Sequence, residues 1–379
     1  MIQTLNSQQL YTNPTRRIFG EGTFSRLPEL VKEFKPEKIL LVLGENSFRQ
    51  SPHYSEVLIF LETYEILESL PIGPNPEENF IQSEINRLKD QAYQLVIAVG
   101  GGSVLDVAKI LAHLPQQPQT SLQEYLAGKK TLSAPGVPLI AIPTTSGTGS
   151  EVTPYASLET VEKKKVTFSD PDFYPEVAII DPVLTYSMPS YITASTGFDA
   201  LSQAIESYWA VAATAFSRTH ALRALDLILP HLETAVKDPK NQKARSAIAL
   251  GSCEAGLAIA QTKTTAVHSV SYPITAHFRV AHGHACALTL SSFIKFNSGW
   301  VSEAESLLRI CRVSDFARLA AQVETLMKAA ALETSLGKLG INEAGIELIL
   351  RDGFRPDRIL NNPRHVEADD LRQILHSIA

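Results

Sequence analysis

The chain has 379 residues, 44% of them hydrophobic and 20% charged, with a formal net charge of −6. That length exceeds one ordinary hydrophobic core, so two domains are expected, and the composition excludes a disordered or fibrous chain. The acidic balance, with no basic run longer than Lys163-Lys164-Lys165, argues against nucleic acid and anionic membranes as partners, since both select for a basic face. No uncharged apolar stretch approaches the roughly 18–20 residues that span a bilayer. The opening segment, MIQTLNSQQLYTNPTRR, lacks the apolar core of a signal peptide. Three scattered cysteines, Cys253, Cys286 and Cys311, suit neither a disulfide framework nor a thiolate metal site. They read as small core residues in a cytoplasmic protein.

Along the first half, short apolar runs alternate with amphipathic stretches. KILLVLG (38–44), YEILESLP (64–71), LVIAVGGG (95–102), PLIAIPTT (138–145) and EVAIID (176–181) read as buried strands. SRLPELVKEF, NFIQSEINRLKDQ and SVLDVAKILAHL read as helices between them, which implies a parallel α/β sheet with crossover connections. From about residue 190 the pattern becomes helical, in ITASTGFDALSQAIESYWA, FSRTHALRALDLILPHLETAVKD and ARSAIALGSCEAGLAIAQ, each with an apolar stripe at helical spacing. Asp181-Pro182 and Met188-Pro189 punctuate the change. The expected organisation is an α/β domain over 1–187 and a helical domain over 188–379.

Two loops carry ligand chemistry. Strand LVIAVG runs into Gly100-Gly101-Gly102-Ser103 and then into a helix, a turn that lets backbone N–H groups and a helix N-terminus approach a pyrophosphate. Leu105 stands where the third glycine of the dinucleotide fingerprint belongs, so a tight turn with no ligand is the alternative. The second loop, Pro143 to Glu151, holds five hydroxyl residues and two glycines at the end of another strand. Together they point to a nucleotide site, with a solvated polar loop as the plainer alternative.

A third constellation lies in the helical half. His268 and His282 stand in VHSVSYPITAHFRVAHGHACAL, downstream of Asp199 in DALSQAIESYWA. Two imidazoles and a carboxylate suit a borderline divalent ion such as Fe²⁺ or Zn²⁺. One helical turn after Asp199, where a fourth ligand is expected, the chain has Gln203, whose amide oxygen is the poorer donor.

At this point the chain resembles the iron-dependent (group III) alcohol dehydrogenases. The resemblance runs over nearly the whole length, through NPTRRIFGEGTFSRL, GGGSVLDVAK, IPTTSGTGSEVTPYA, the DPVLT-to-MPS boundary, TGFDALSQAIESY and VHSVSYP followed by AHGHACAL. It implies a dinucleotide-binding α/β domain with an all-helical C-terminal domain, in a dehydroquinate synthase-like architecture, acting as a homodimer on a small aldehyde or alcohol with NAD(P)H. By position it assigns Asp199, Gln203, His268 and His282 to the metal, the first and last two also to catalysis. Gly101, Gly102, Ser103 and Asp106 fall at the pyrophosphate and nicotinamide half, and Gly44, Ser47, Asn75, Thr144, Thr145, Thr148 and Lys165 complete the cofactor groove. Gly44-Glu45-Asn46-Ser47 has no aspartate at the strand end to hold a ribose 2′-hydroxyl, which leans towards NADPH, with Ser47 or Arg49 against the 2′-phosphate and Glu45 opposing it.

Two departures stand out, Gln203 for a histidine and Tyr272 for the second histidine of an H-x-x-x-H pattern. The metal is then held more weakly, or water takes the vacant position, or the site is metal-free and a protonated His268 or His282 polarises the carbonyl. His277 and His284 read as supporting residues. AIAQTKTTAVHSVSYPITAHF resembles the phosphonoacetaldehyde reductases, which implies an anionic substrate with Lys263 as its anchor; a solvated surface lysine is the alternative. The competing readings are a metal-free reductase resembling maleylacetate reductase and a catalytically silent nucleotide-binding homologue. The second should have lost Asp199, His268 or the glycine loop, and all three remain.

Overall fold

The computed structural model describes residues 11–379, which form two compact units. The first comprises Asn13–Thr145 and Ser150–Tyr186; the second comprises Ser187–Ala379 with Ser146–Gly149 and, at the N-terminal end, Tyr11 and Thr12.

The first unit is built on a six-stranded, wholly parallel sheet. Its strands are β1 (Arg16–Phe19), β2 (Lys38–Leu43), β3 (Glu65–Glu68), β4 (Leu95–Gly100), β5 (Leu139–Pro143) and β8 (Val177–Ile180), in the order β1-β8-β5-β4-β2-β3. β4, β5 and β8 are buried at every residue, as expected when helices cover both faces of a parallel sheet. Leu40, Val42, Val96 and Ala98 face one core with Leu105 and Val107, while Ile39, Leu41, Ile97 and Val99 face the other with Leu27 and Val31. Period-two alternation thus divides each strand between two cores.

The connections progress one way from β2 to β3 and the other way from β4 through β5 to β8. The order therefore reverses between β2 and β4, the place where open α/β sheets leave a crevice outside the strand ends. Two further elements were not evident from the apolar runs. β1 is a mostly exposed edge strand beginning with two arginines, recognisable only by its pairing with β8. An antiparallel hairpin, β6 (Tyr155–Glu159) and β7 (Lys165–Ser169), packs Ala156, Leu158 and Phe168 into the first of the two cores.

The second unit is helical, with Phe198, Leu201, Ile205, Val267, Ile274, Leu290 and Phe293 in one continuous core. The helical stretch from 216 to 238 divides into Ala215–Ile228 and Leu232–Lys237. Pro230 falls between them, where it cannot supply the N–H that continuation requires. Among the described residues no helix is long and apolar enough to cross a membrane.

Candidate functional site

In the helical unit, the helix Ser190–Trp209 carries Asp199, Gln203 and Glu206 at i, i+4 and i+7, hence on one face. The helix Ala266–Phe278 supplies His268, Ser271 and Tyr272, and the helix His282–Asn297 opens on His282 itself. Gly283 sets their approach. A Cβ there would stand 1.8 Å from the Ser195 carbonyl oxygen and 2.9 Å from the Asp199 Cβ. Only glycine lets the start of that helix come close enough to bring His282 to Asp199.

The three expected ligands meet. His268 Nε2 lies 3.2 Å from Asp199 Oδ1, and His282 Nε2 lies 3.9 Å from the same oxygen. Glu206, fully buried, fixes the first imidazole. Its Oε1 accepts from Thr265 N and Oγ1, each at 2.8 Å, and from His268 N at 3.2 Å, while Oε2 takes His268 Nδ1. A carboxylate on Nδ1 holds a proton there, so that an ion displacing the Nε2 proton beside Asp199 would meet a correctly oriented lone pair. Ser271 Oγ, donating to His268 O at 2.9 Å, lies 3.4 Å from His282 Nδ1.

A divalent ion fits these residues. A carboxylate oxygen and two oriented imidazole nitrogens converge, and Gln203 Oε1, in a side chain only 4% exposed, has no hydrogen-bond partner among the described residues. Its Nε2 makes a long contact of 3.5 Å to Thr148 O, with the acceptor oxygen left unsatisfied. A buried acceptor without a donor is costly unless a cation or a ligand meets it.

Four residues at this site were missed in the sequence reading. Glu206 had a signal, a carboxylate one turn beyond Gln203 on an otherwise apolar stripe. Cys286, read as plain core, is buried, but its thiol lies in the same cluster as Asp199, His268 and His282. Arg355 and Arg358 each place a guanidinium 5.0 Å from the centroid of the Tyr272 ring, which is 5.6 Å from the His282 ring. The tyrosine that replaces a histidine is thus flanked by two cations.

Lys263 caps the helix Gln242–Thr262 at φ 60° with its side chain exposed, and no contact among the described residues ties it to the imidazoles. His277 pairs with Asp352 at 2.8 Å, and His284 reaches the Glu333 carbonyl at 2.8 Å and Tyr191 Oη at 3.3 Å. Both are engaged away from the cluster.

In the α/β unit, the Gly100–Ser103 turn follows β4 at the reversal of strand order. The helix Gly102–His113 has the extended Gly101 at its N-cap and no side chain capping it, so its first N–H groups are available to an anion, which fits a pyrophosphate. A Cβ on Gly101 would meet the Thr145 methyl at 3.3 Å, and Thr144 N donates to Gly100 O at 2.9 Å. The two loops are therefore neighbours. Gly44 and exposed Ser47 lie on the other flank of the reversal, with Gly44 bridged to Ile72 three residues before Asn75, itself at φ 50°. Arg49 is held by Glu68 at 2.8 Å. Thr148, by contrast, is grouped with the helical unit.

Asp106 accepts from Ser150 Oγ and, at 2.8 Å, from Ser157 N, and it senses the charge of Lys165. Lys109, fully buried, donates to Ser150 Oγ and Tyr155 O, each at 2.7 Å. Burial pulls its ammonium down to about 8 and pushes the neighbouring Glu151 carboxyl up to about 7.

The family model for iron-containing alcohol dehydrogenase matches residues 14–182, and that for the C-terminal part of the Fe-containing alcohol dehydrogenase family matches residues 193–379. The chain is 34% identical over 334 residues to long-chain-alcohol dehydrogenase 1 of Geobacillus thermodenitrificans, covering 83% of this chain and 82% of that one. It is 28% identical to the NADPH-dependent butanol dehydrogenase of Clostridium saccharobutylicum, with 97% of each covered. Sulfoacetaldehyde reductase from Bifidobacterium kashiwanohense, solved in complex with NAD+, superposes with a TM-score of 0.91 at 30% identity over 99% of both chains. The glycine turn at the strand reversal and the imidazole–carboxylate cluster are thus local features of a chain that belongs, over both units, to the iron-containing alcohol dehydrogenase family.

Proposed function

We infer that the protein interconverts a small aldehyde and its primary alcohol with NAD(P)H as hydride donor, the aldehyde and one proton giving the alcohol and NAD(P)+. The convergence of His268, His282 and Asp199, with Glu206 locking the first imidazole, carries this reading. A divalent ion at the cluster supplies Lewis acidity to a carbonyl oxygen, and the nicotinamide supplies the hydride. The protein's own residues do the rest. Glu206 and Ser271 orient the two rings, buried Asp199 offers the anionic donor, and Gln203 Oε1 adds a neutral one. In the α/β unit the uncapped helix at Gly102 binds the pyrophosphate. Lys109 and Asp106 tie that helix to the hairpin, and Gly44 with Ser47 leaves room for the 2′-phosphate of NADPH.

The substrate is proposed to carry an anionic group, phosphonate or sulfonate. The Arg355 and Arg358 guanidiniums beside Tyr272 support an anion close to His282, and the resemblance to a sulfoacetaldehyde reductase is in keeping with it. Lys263 is the competing anchor. A metal-free mechanism draws on the surroundings of His268, with Glu206 at Nδ1 and Asp199 at Nε2. Burial works against a charged His268, yet Cys286, Glu206 and Asp199 together raise its pKa well above the ordinary value, so without an ion the ring is a proton donor.

The test is NADPH and NADH oxidation with sulfoacetaldehyde, phosphonoacetaldehyde, lactaldehyde and butanal, before and after exhaustive chelation, with the metal content measured. Activity that falls on chelation and returns with Fe²⁺ or Zn²⁺ is expected. Full activity in metal-free protein would establish the second mechanism, and no reduction of any aldehyde would remove the assignment.

A further inference from the structure

We propose that Cys286 is itself a metal ligand, so that a thiolate takes the place left open by the amide of Gln203. This rests on the metal reading above and concerns which atoms hold the ion. Cys286 Sγ, one Asp199 oxygen and one nitrogen each of His268 and His282 all lie within 4.8 Å of one another. The cysteine sits one helical turn after His282, which puts both side chains on one face of the helix. It is fully buried, and its thiol belongs to the same cluster as the Asp199 carboxylate and the two imidazoles.

A second observation points to a ligand on the Asp199 helix. Gln203 Oε1 is a buried acceptor with no hydrogen-bond partner among the described residues, on the helical face between Asp199 and Glu206. The amide has not formed a closed internal network that would make an ion superfluous.

The geometry allows it. Zinc bonds of about 2.0–2.3 Å place tetrahedral donors roughly 3.5 Å apart. The widest separation must therefore close by about an ångström, a rotation within reach of His282, whose side chain is the most exposed of the four at 21%. On binding, the Cys286 S–H bond breaks, the sulfur–metal bond forms and the proton leaves to solvent. One carboxylate and one thiolate then balance the dication, which lowers the cost of burying it. Sulfur also changes the preferred ion. With two imidazoles and a thiolate the site favours zinc over Fe²⁺, and Gln203 Oε1 becomes a neutral donor for a further position.

Substitution of Co²⁺ into the full-length apoprotein tests this without an activity readout. Visible d–d bands report the ion in an ordered site, and a near-ultraviolet charge-transfer band reports a cobalt–thiolate bond. Wild type should show both. Cys286→Ser should keep the d–d bands, lose the charge-transfer band and bind Co²⁺ about ten-fold or more weakly, while Cys253→Ser and Cys311→Ser retain it. A wild-type spectrum with d–d bands but no thiolate charge transfer, or a charge-transfer band that survives Cys286→Ser, overturns the ligand and leaves the metal reading standing. No uptake of Co²⁺ overturns both. The wild-type spectrum decides even if the variants fold poorly.

Discussion

Glu206→Gln should weaken metal binding while changing almost no volume. The glutamate makes four contacts, three through Oε1 with Thr265 N, Thr265 Oγ1 and His268 N, and one through Oε2 with His268 Nδ1. An amide placed with its oxygen at Oε1 preserves the first three. Its NH₂ then occupies the Oε2 position and donates to Nδ1, which must become an acceptor. The ring proton is displaced to Nε2, on the side where Asp199 Oδ1 stands 3.2 Å away, and the lone pair needed by an ion is lost. Replacing such a supporting carboxylate costs about 10–100-fold in metal affinity, which corresponds to roughly 1.4–2.7 kcal/mol. Competition between the protein and a chromophoric zinc chelator measures this directly, and thermal unfolding of the apoprotein shows whether the fold is kept. A folded Glu206→Gln variant that binds Zn²⁺ as tightly as wild type would refute the tautomer role.

Four further outcomes are expected. Gln203→His should raise Fe²⁺ or Zn²⁺ affinity about ten-fold or more, since the imidazole enters one turn after Asp199 on the same face; no gain in equilibrium dialysis would mean that Gln203 faces no ion. Burial raises the Glu151 carboxyl from 4.5 to about 7, so the native state retains a proton that the unfolded chain releases. The glutamate's stability relative to glutamine is thus complete below about pH 4.5 and is lost as the pH rises through 7. Glu151→Gln should stabilise by on the order of 1–3 kcal/mol at pH 8 and by almost nothing near pH 4.5 in urea titrations; a difference independent of pH would contradict this. Gly102→Val should lower NAD(P)H affinity in fluorescence titration with the fold unchanged, and unaltered binding would move the pyrophosphate elsewhere. Arg355→Gln should reduce kcat/KM for an anionic aldehyde roughly 10–150-fold relative to butanal, the range of a charge-assisted hydrogen bond. If Lys263→Ala alone shows that selectivity, the anchor is the lysine.

Local physics made a large part of this protein readable from residue order. Strands β2, β4, β5 and β8 were legible because burial on both faces demands continuous apolar runs, and the turn at Gly100–Ser103 because a tight strand-to-helix junction favours glycine. Asp199, His268 and His282 stood out as a set because such donors rarely recur by chance in helices otherwise lined with alanine, leucine and isoleucine. Tertiary structure decided what depends on helices distant in sequence. β1 begins with two arginines and is a strand only because β8 offers it a partner. Cys286 looks like any small core residue until the crossing at Gly283 turns its helix towards Asp199. Glu206 lies 62 positions from His268, and nothing local to either residue announces the contact. Arg355 reaches Tyr272 across more than 80 positions by the same kind of packing. Periodicity reports which face of an element is buried; which buried side chains meet is set by how closely the backbones cross, and here that distance was fixed by one missing Cβ.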